Sequence, residues 1–256
     1  MENEFLYRYI GFETFVDMVQ QNALTFVLPS LWEDPKEESP FLQLIGAQGH
    51  PLKMAFFIAL HNKAYAQSWS ELAESDAMWR IYSYSNRALR IKIKKSNVNL
   101  LDNVTAIPVK YSDEPFDSQT FDENEFLHSL AYKRTAFCHE REVRLISHYK
   151  YKDEQDAMQH INAVYVIYEH PDRIKISENM FPNLEIEEQI DRIVELLNVG
   201  KKQKQTKKIS YEHIPNFIEG VLVHPLAPSW YVEVIEEYCG RNNITFEGQS
   251  KLYSQD

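Results

Sequence analysis

"HEREVRLIS", residues 139–147, is the stretch from which the fold is read. Four charged side chains, Glu140, Arg141, Glu142 and Arg144, enter a run that also holds Val143, Leu145 and Ile146. The alternation predicts a strand. Period two sets Glu140, Glu142, Arg144 and Ile146 on one side, and Arg141, Val143, Leu145 and Ser147 on the other. Glu142 and Arg144 are then neighbours on one face, close enough to pair. Ionised side chains are seldom buried unless paired or held for chemistry. Two readings follow: a structural ion pair, or an acid held by arginine that polarises a hydroxyl or stabilises positive charge developing in a cleft. Glu140 and Glu142 are the candidate catalytic acids, and the pattern does not choose between them.

Outward from this strand, "ALRIKIK" (88–94) is a second, with Leu89, Ile91 and Ile93 inward and Arg90, Lys92 and Lys94 outward. Strands are also expected at 5–9, 23–29, 64–70, 104–111, 163–168, 217–225 and 244–248. Phe12, Phe15, Val16 and Val19 fall at helical spacing, giving a helix over 12–22. Further helices are expected at 51–62, after Ser75 with Met78, Trp79 and Tyr82, from Phe126 to Phe137, at 185–197, and from a capping Ser229 to 239. Between 29 and 40, "PSLWEDPKEESP" reads as a polar loop. The mixture is α+β: a single domain over 1–256, built on a central split or strongly bent antiparallel-rich sheet flanked by helices. Residues 178–212 read as a helical and lysine-rich insertion.

The 256 residues suffice for one sizeable core, and 44% hydrophobic content with 15 Tyr and 14 Phe belongs to a folded chain. A net charge of −11 argues against a general nucleic-acid coat. The longest apolar run, "MAFFIAL" (54–60), is too short to span a bilayer, and no signal-like segment opens the chain. Cys138 and Cys239 lack metal or redox spacing, so free thiols in a cytoplasmic protein are expected.

"AQSWS" brings Ser68, Trp69 and Ser70 to a strand end, where they border a cleft, whereas Trp79 and Tyr82 share a helix face and read as core. In "FLYRYI" (5–10), Arg8 faces away from Tyr7 and Tyr9 and reads either as a phosphate clamp or as a solvated arginine. A lone Arg80 is weak evidence for an anion site. The acids of "WEDPKEE" (32–38) have no histidine partner and read as a solvated turn, so no metal is expected. His139 lies beside the acidic pair, and His224 ends a strand near a cleft. The lysines of "KKQKQTKK" (201–208) read as a solvated loop. No nucleophile elbow, P-loop or dinucleotide fingerprint is present.

Taken in order, "FLYRYI", "ALTFVLPSLWEDPKEE", "AQSWSE", "DAMWRIYS", "ALRIKI", "YKRTAFCHEREVRLI" and "IEGVLVHPLAP" resemble the bacterial domain-of-unknown-function family 2971, from about residue 5 to 253. The chain has Glu33-Asp34-Pro35 where that family has an Asn-Asp-Pro-like turn, and Cys138-His139 where it often has tryptophan. A more distant resemblance is to ADP-ribosyltransferases, particularly their DNA-modifying toxin branch. It implies that Arg8, Ser68, Trp69 and Ser70 bind NAD, that Glu140 or Glu142 is the catalytic glutamate, and that the acceptor is a nucleic acid or protein. Two other classes remain: a metal-dependent nuclease-type toxin, and a non-catalytic binding or regulatory module in a bacterial defence system.

Overall fold

The computed structural model describes residues 4–32, 34, 37, 40–48, 57, 60, 61, 63–118, 120, 122–148 and 204–254. Their elements run β1 (Phe5–Gly11), α1 (Phe12–Gln21), β2 (Ala23–Val27), α2 (Pro40–Gln48), β3 (Tyr65–Ser70), α3 (Asp76–Tyr82), β4 (Ala88–Lys94), β5 (Val104–Pro108), β6 (Lys110–Tyr111), α4 (Glu123–Ser129), β7 (Tyr132–Lys133), β8 (Glu142–Ser147), β9 (Thr206–Ser210), β10 (Gly220–Val223), α5 (Ser229–Arg241) and β11 (Phe246–Gln249). Nine strands form one mostly antiparallel sheet in the order β11-β10-β4-β1-β3-β2-β9, with β8 pairing β3 and β5 pairing β8. Among the described residues, only β10 and β11 pair parallel within it. The class is α+β.

Apolar positions two apart on the strands build a layer on each face. On one side Leu6, Ile91, Trp69, Val143 and Leu145 pack with Phe15 of α1 and Ile235 of α5. On the other, Phe41, Phe57, Phe126 and Ile146 form a separate layer, and Tyr9 packs with Met78 and Trp79. Trp79 meets Tyr9 edge to face at 4.7 Å, so the core expectation for this indole holds.

β3 carries the feature that positions the site. Along one edge it pairs β8 from Tyr65↔Ser147 to Ser70↔Glu142. Its other edge is divided: β1 touches it at Tyr7↔Ser70 and β2 at Val27↔Ala66. In an antiparallel strand, every second residue directs its N–H and C=O at the same edge. Ala66 and Ser70 set that alternation on β3, so Ser68, midway between them, also points its backbone groups at the divided edge. Among the described residues, no strand position is registered against it there. The sheet forks at this point.

Several expectations need correction. The strand begins at Glu142, because Thr135–Glu140 is a 3-10 turn and Arg141 is left-handed (φ 41°, ψ 53°). The helix through Phe126 stops at Ser129, and Lys133 lies on β7 instead. Arg90 is buried rather than outward: it stacks 4.9 Å from the Tyr7 ring and pairs with Glu247 at 2.7 Å. The residue capping α5 is Pro228, with Ser229 already helical. Helix α2 falls in a stretch, past the polar loop that ends at Pro40, to which the sequence reading assigns no element. The end of the lysine run forms β9 against β2, not a loop, with Lys208 paired to Asp17 at 2.8 Å. The strand at 163–168, the helix at 185–197, most of the 178–212 insertion and most of the 51–62 helix lie outside the described residues. Among the described residues, no helix is long and apolar enough to cross a membrane.

Candidate functional site

Glu142 and Arg144 protrude from the same face of β8, as alternation demands, and their side chains meet at 2.8 Å. Arg144 also donates to the Leu130 carbonyl at 2.7 Å and to Glu37, and its guanidinium lies 4.0 Å from the centre of the Trp32 ring. Lys133 ties the acids together: its ammonium is 2.7 Å from Glu140, 3.1 Å from Glu142 and 3.7 Å from Glu37. The early stop of α4 lets β7 deliver this lysine, while left-handed Arg141 turns the chain between the two glutamates. Three carboxylates thus face two cations in a buried cluster.

The members differ in how firmly they hold charge. Burial raises the Glu142 carboxyl, but Arg144, Lys133 and a hydrogen bond from Ser68 outweigh it and bring it down to about 2. Glu142 is a fixed carboxylate and a poor proton acceptor at neutral pH. Burial also raises Glu37, and there Arg144 and Lys133 do not fully compensate, so its carboxyl stays above the ordinary range. Lys133 is desolvated, yet the surrounding carboxylates hold its ammonium above the usual lysine value.

This cluster borders a cavity of about 240 Å³ at the fork. Arg8, Ser68, Trp69, Ser70, Glu140 and Glu142, all singled out from the sequence, line it together. They reach it from both faces of the sheet. Arg8 is registered against Ile91, and Trp69 against Val143, on the face beneath α1. Ser70 and Ser68 are registered against Glu142 and Arg144 on the opposite face. An unbroken sheet would keep these two sets apart. The fork brings them to one space.

Their freedom to act differs. The Ser70 hydroxyl is committed, donating to the Glu140 carbonyl at 2.7 Å and accepting from the Leu72 N–H at 3.0 Å. Trp69 is buried and donates to the Gln67 side chain at 2.8 Å, while Gln67 in turn donates to the Thr25 carbonyl at 2.9 Å. Gln67 therefore braces the fork. Ser68 is exposed. Desolvation pulls the Arg8 guanidinium down to about 10, so it remains charged at neutral pH, and no carboxylate among the described residues acts on it.

Sequence reasoning missed Lys133, Glu37 and Tyr82. Tyr82 was expected in the core beside Trp79, but it is 43% exposed and lines the cavity. Desolvation of the hydroxyl end, which lines the cavity while the rest of the side chain is exposed, with Glu140 and Glu142 nearby, raises its pKa, so it stays protonated and can donate. A wider cleft of about 740 Å³ adjoins the cavity, sharing Trp32, Ser68, Tyr82 and Glu140, and His139 lies on its wall. His224 does not border the cavity: it packs 5.2 Å from Trp79, and its ring accepts from the Leu226 N–H. Arg80 is engaged by Asp76 at 2.9 Å. Both cysteines are free, and burial pushes the Cys239 thiol up to about 12. Among the described residues, no group of three or more His, Cys, Asp or Glu side chains is arranged to hold a metal ion. No protein-family model, curated protein or solved structure matches this chain.

Proposed function

We propose that the fork cavity is the active site of an ADP-ribosyltransferase-like enzyme that takes NAD and transfers its ADP-ribosyl group to an acceptor. The observation that carries the reading is the convergence of an ionised Glu142, an uncompensated Arg8 and the open backbone of Ser68 on one cavity. An N–H and a C=O presented side by side complement a carboxamide, which offers one acceptor and two donors. Tyr82 and Trp32 supply aromatic walls for a planar ring. Arg8 supplies a cation for a phosphate. The cavity of about 240 Å³ suits the nicotinamide end with the nearest phosphate on Arg8 at its wall, and the adjoining cleft of about 740 Å³ leaves room for the remainder and an acceptor.

In this reaction the bond between the ribose C1′ and the nicotinamide nitrogen breaks, and nicotinamide leaves with the bonding pair. The ribosyl centre gains positive character, which a fixed carboxylate stabilises. With water as acceptor, a C1′–O bond forms and one proton passes to solvent. With an acceptor hydroxyl or amine, the same proton comes from that group. Glu142, held at about 2, orients a ribose hydroxyl and stabilises the charge; it does not take the acceptor's proton.

A second reading has its own support: Glu142, Arg144, Lys133 and Glu37 form the kind of closed ion-pair cluster that a non-catalytic module would keep for structure. Nicotinamide release from NAD separates the two, measured with no acceptor, DNA, RNA, protein extract or small hydroxylated acceptors. Glu142→Gln should reduce turnover at least about a hundredfold with the circular dichroism spectrum retained. No turnover with any acceptor class favours the module, and full activity in both Glu140→Gln and Glu142→Gln overturns the catalytic role given to the glutamates.

A further inference from the structure

The fork opens to both faces of the sheet, and a second cavity of about 220 Å³ lies on the side away from Glu142. Ile10, Met18 and Ile91 supply its apolar wall, with Thr14 of α1 at the exposed rim. Arg8, Thr25, Val27, Gln67 and Trp69 line this cavity as well as the first. Arg8 belongs to this face, because its cross-strand partner is Ile91. It also differs from other arginines of the fold. Arg90, Arg134 and Arg144 each hold a carboxylate, at Glu247, Asp34, and Glu142 with Glu37. Among the described residues, no carboxylate acts on Arg8. A half-buried guanidinium beside an apolar wall, without a counter-ion, is costly unless an anion completes it.

We propose that the pocket beneath α1 binds a small organic monoanion with a short apolar body, its carboxylate on Arg8 and its body against Ile10, Met18 and Ile91. Size sets the class. Since a dry aliphatic cavity of about 150 Å³ accepts benzene, 220 Å³ has space for a ring or chain of about six carbons with its carboxylate. A polyphosphate does not suit walls of this composition. The site stands apart from the nucleotide reading, since it needs neither Glu142 nor NAD. Where both hold, the two ligands compete for Arg8.

The experiment is titration of the whole protein with acetate, hexanoate, benzoate and inorganic phosphate, followed by calorimetry and by thermal shift. Hexanoate should bind saturably and at least about tenfold more tightly than acetate, since each fully buried methylene contributes a factor of up to about four. Arg8→Gln removes the charge, and Thr14→Trp blocks the pocket from an exposed position where folding is not at stake. Each should weaken hexanoate at least about tenfold with the circular dichroism spectrum unchanged. The proposal is overturned if neither hexanoate nor benzoate binds saturably. It is also overturned if acetate or phosphate binds as tightly as hexanoate, or if either variant keeps wild-type affinity. None of these results bears on NAD turnover, so failure here and failure of the transferase reading remain distinguishable.

Discussion

Glu142 and Arg144 show what two residues of local pattern can convey. Their spacing on one strand face is a period-two fact, so their pairing is legible from the sequence. Glu37 is not, because it stands 107 positions from Arg144 and no local rule links them. Lys133 escaped for another reason: the apolar spacing from Phe126 onward imitates a continuing helix, and only tertiary pairing of β7 with β6 ends it. Arg144→Ala should lower stability by about 3–5 kcal/mol in urea denaturation, since it strands Glu142 and Glu37 in a buried setting. The acid limb of stability should also report on Glu142. A carboxyl lowered from 4.5 to about 2 on folding stabilises the folded chain above 4.5, and that contribution disappears as pH falls through 2. Its size is about 3 kcal/mol. Glu37, raised on folding, acts with the opposite sign: its cost is present at neutral pH and is relieved by acid. Glu142→Gln should therefore flatten the loss of stability between pH 4.5 and 2, as measured by denaturation at each pH. An unchanged acid limb would contradict the assigned charge state.

At the scale of elements, most strands were legible because their alternation is strong, β4 being the clearest case. The fork was legible only as a generic split sheet. Its position depends on which strands share an edge of β3, and strand pairing is non-local information. Arg90 was misread for the same reason, since its burial follows from Glu247 on β11 and the Tyr7 ring, not from its place in "ALRIKIK". Gln67 offers a direct test of the fork. It satisfies the Thr25 carbonyl and the Trp69 indole N–H at once. Gln67→Leu leaves both without that partner, and should cost about 1–3 kcal/mol by thermal or urea denaturation. A neutral result would mean that the fork needs no such brace.

For the whole molecule, a charge of −11 and a sheet edge bearing Lys207 and Lys208 act in opposite directions on an anionic partner. The described lysines of that edge are partly engaged, with Lys208 on Asp17 and Lys207 donating to Ser147. Lys208→Gln should change stability by less than about 1 kcal/mol in denaturant melts, because its ion pair is exposed. This α+β architecture uses a forked sheet to bring side chains from two faces to one cavity. The most direct measurement is a crystal structure of the Glu142→Gln variant soaked with NAD, in which slow turnover preserves the ligand. The nicotinamide carboxamide should lie against the backbone N–H and C=O of Ser68, with a ribose hydroxyl within hydrogen-bonding distance of the side chain at position 142. NAD bound elsewhere, or a closed fork with Ser68 paired to β1 or β2, would contradict it.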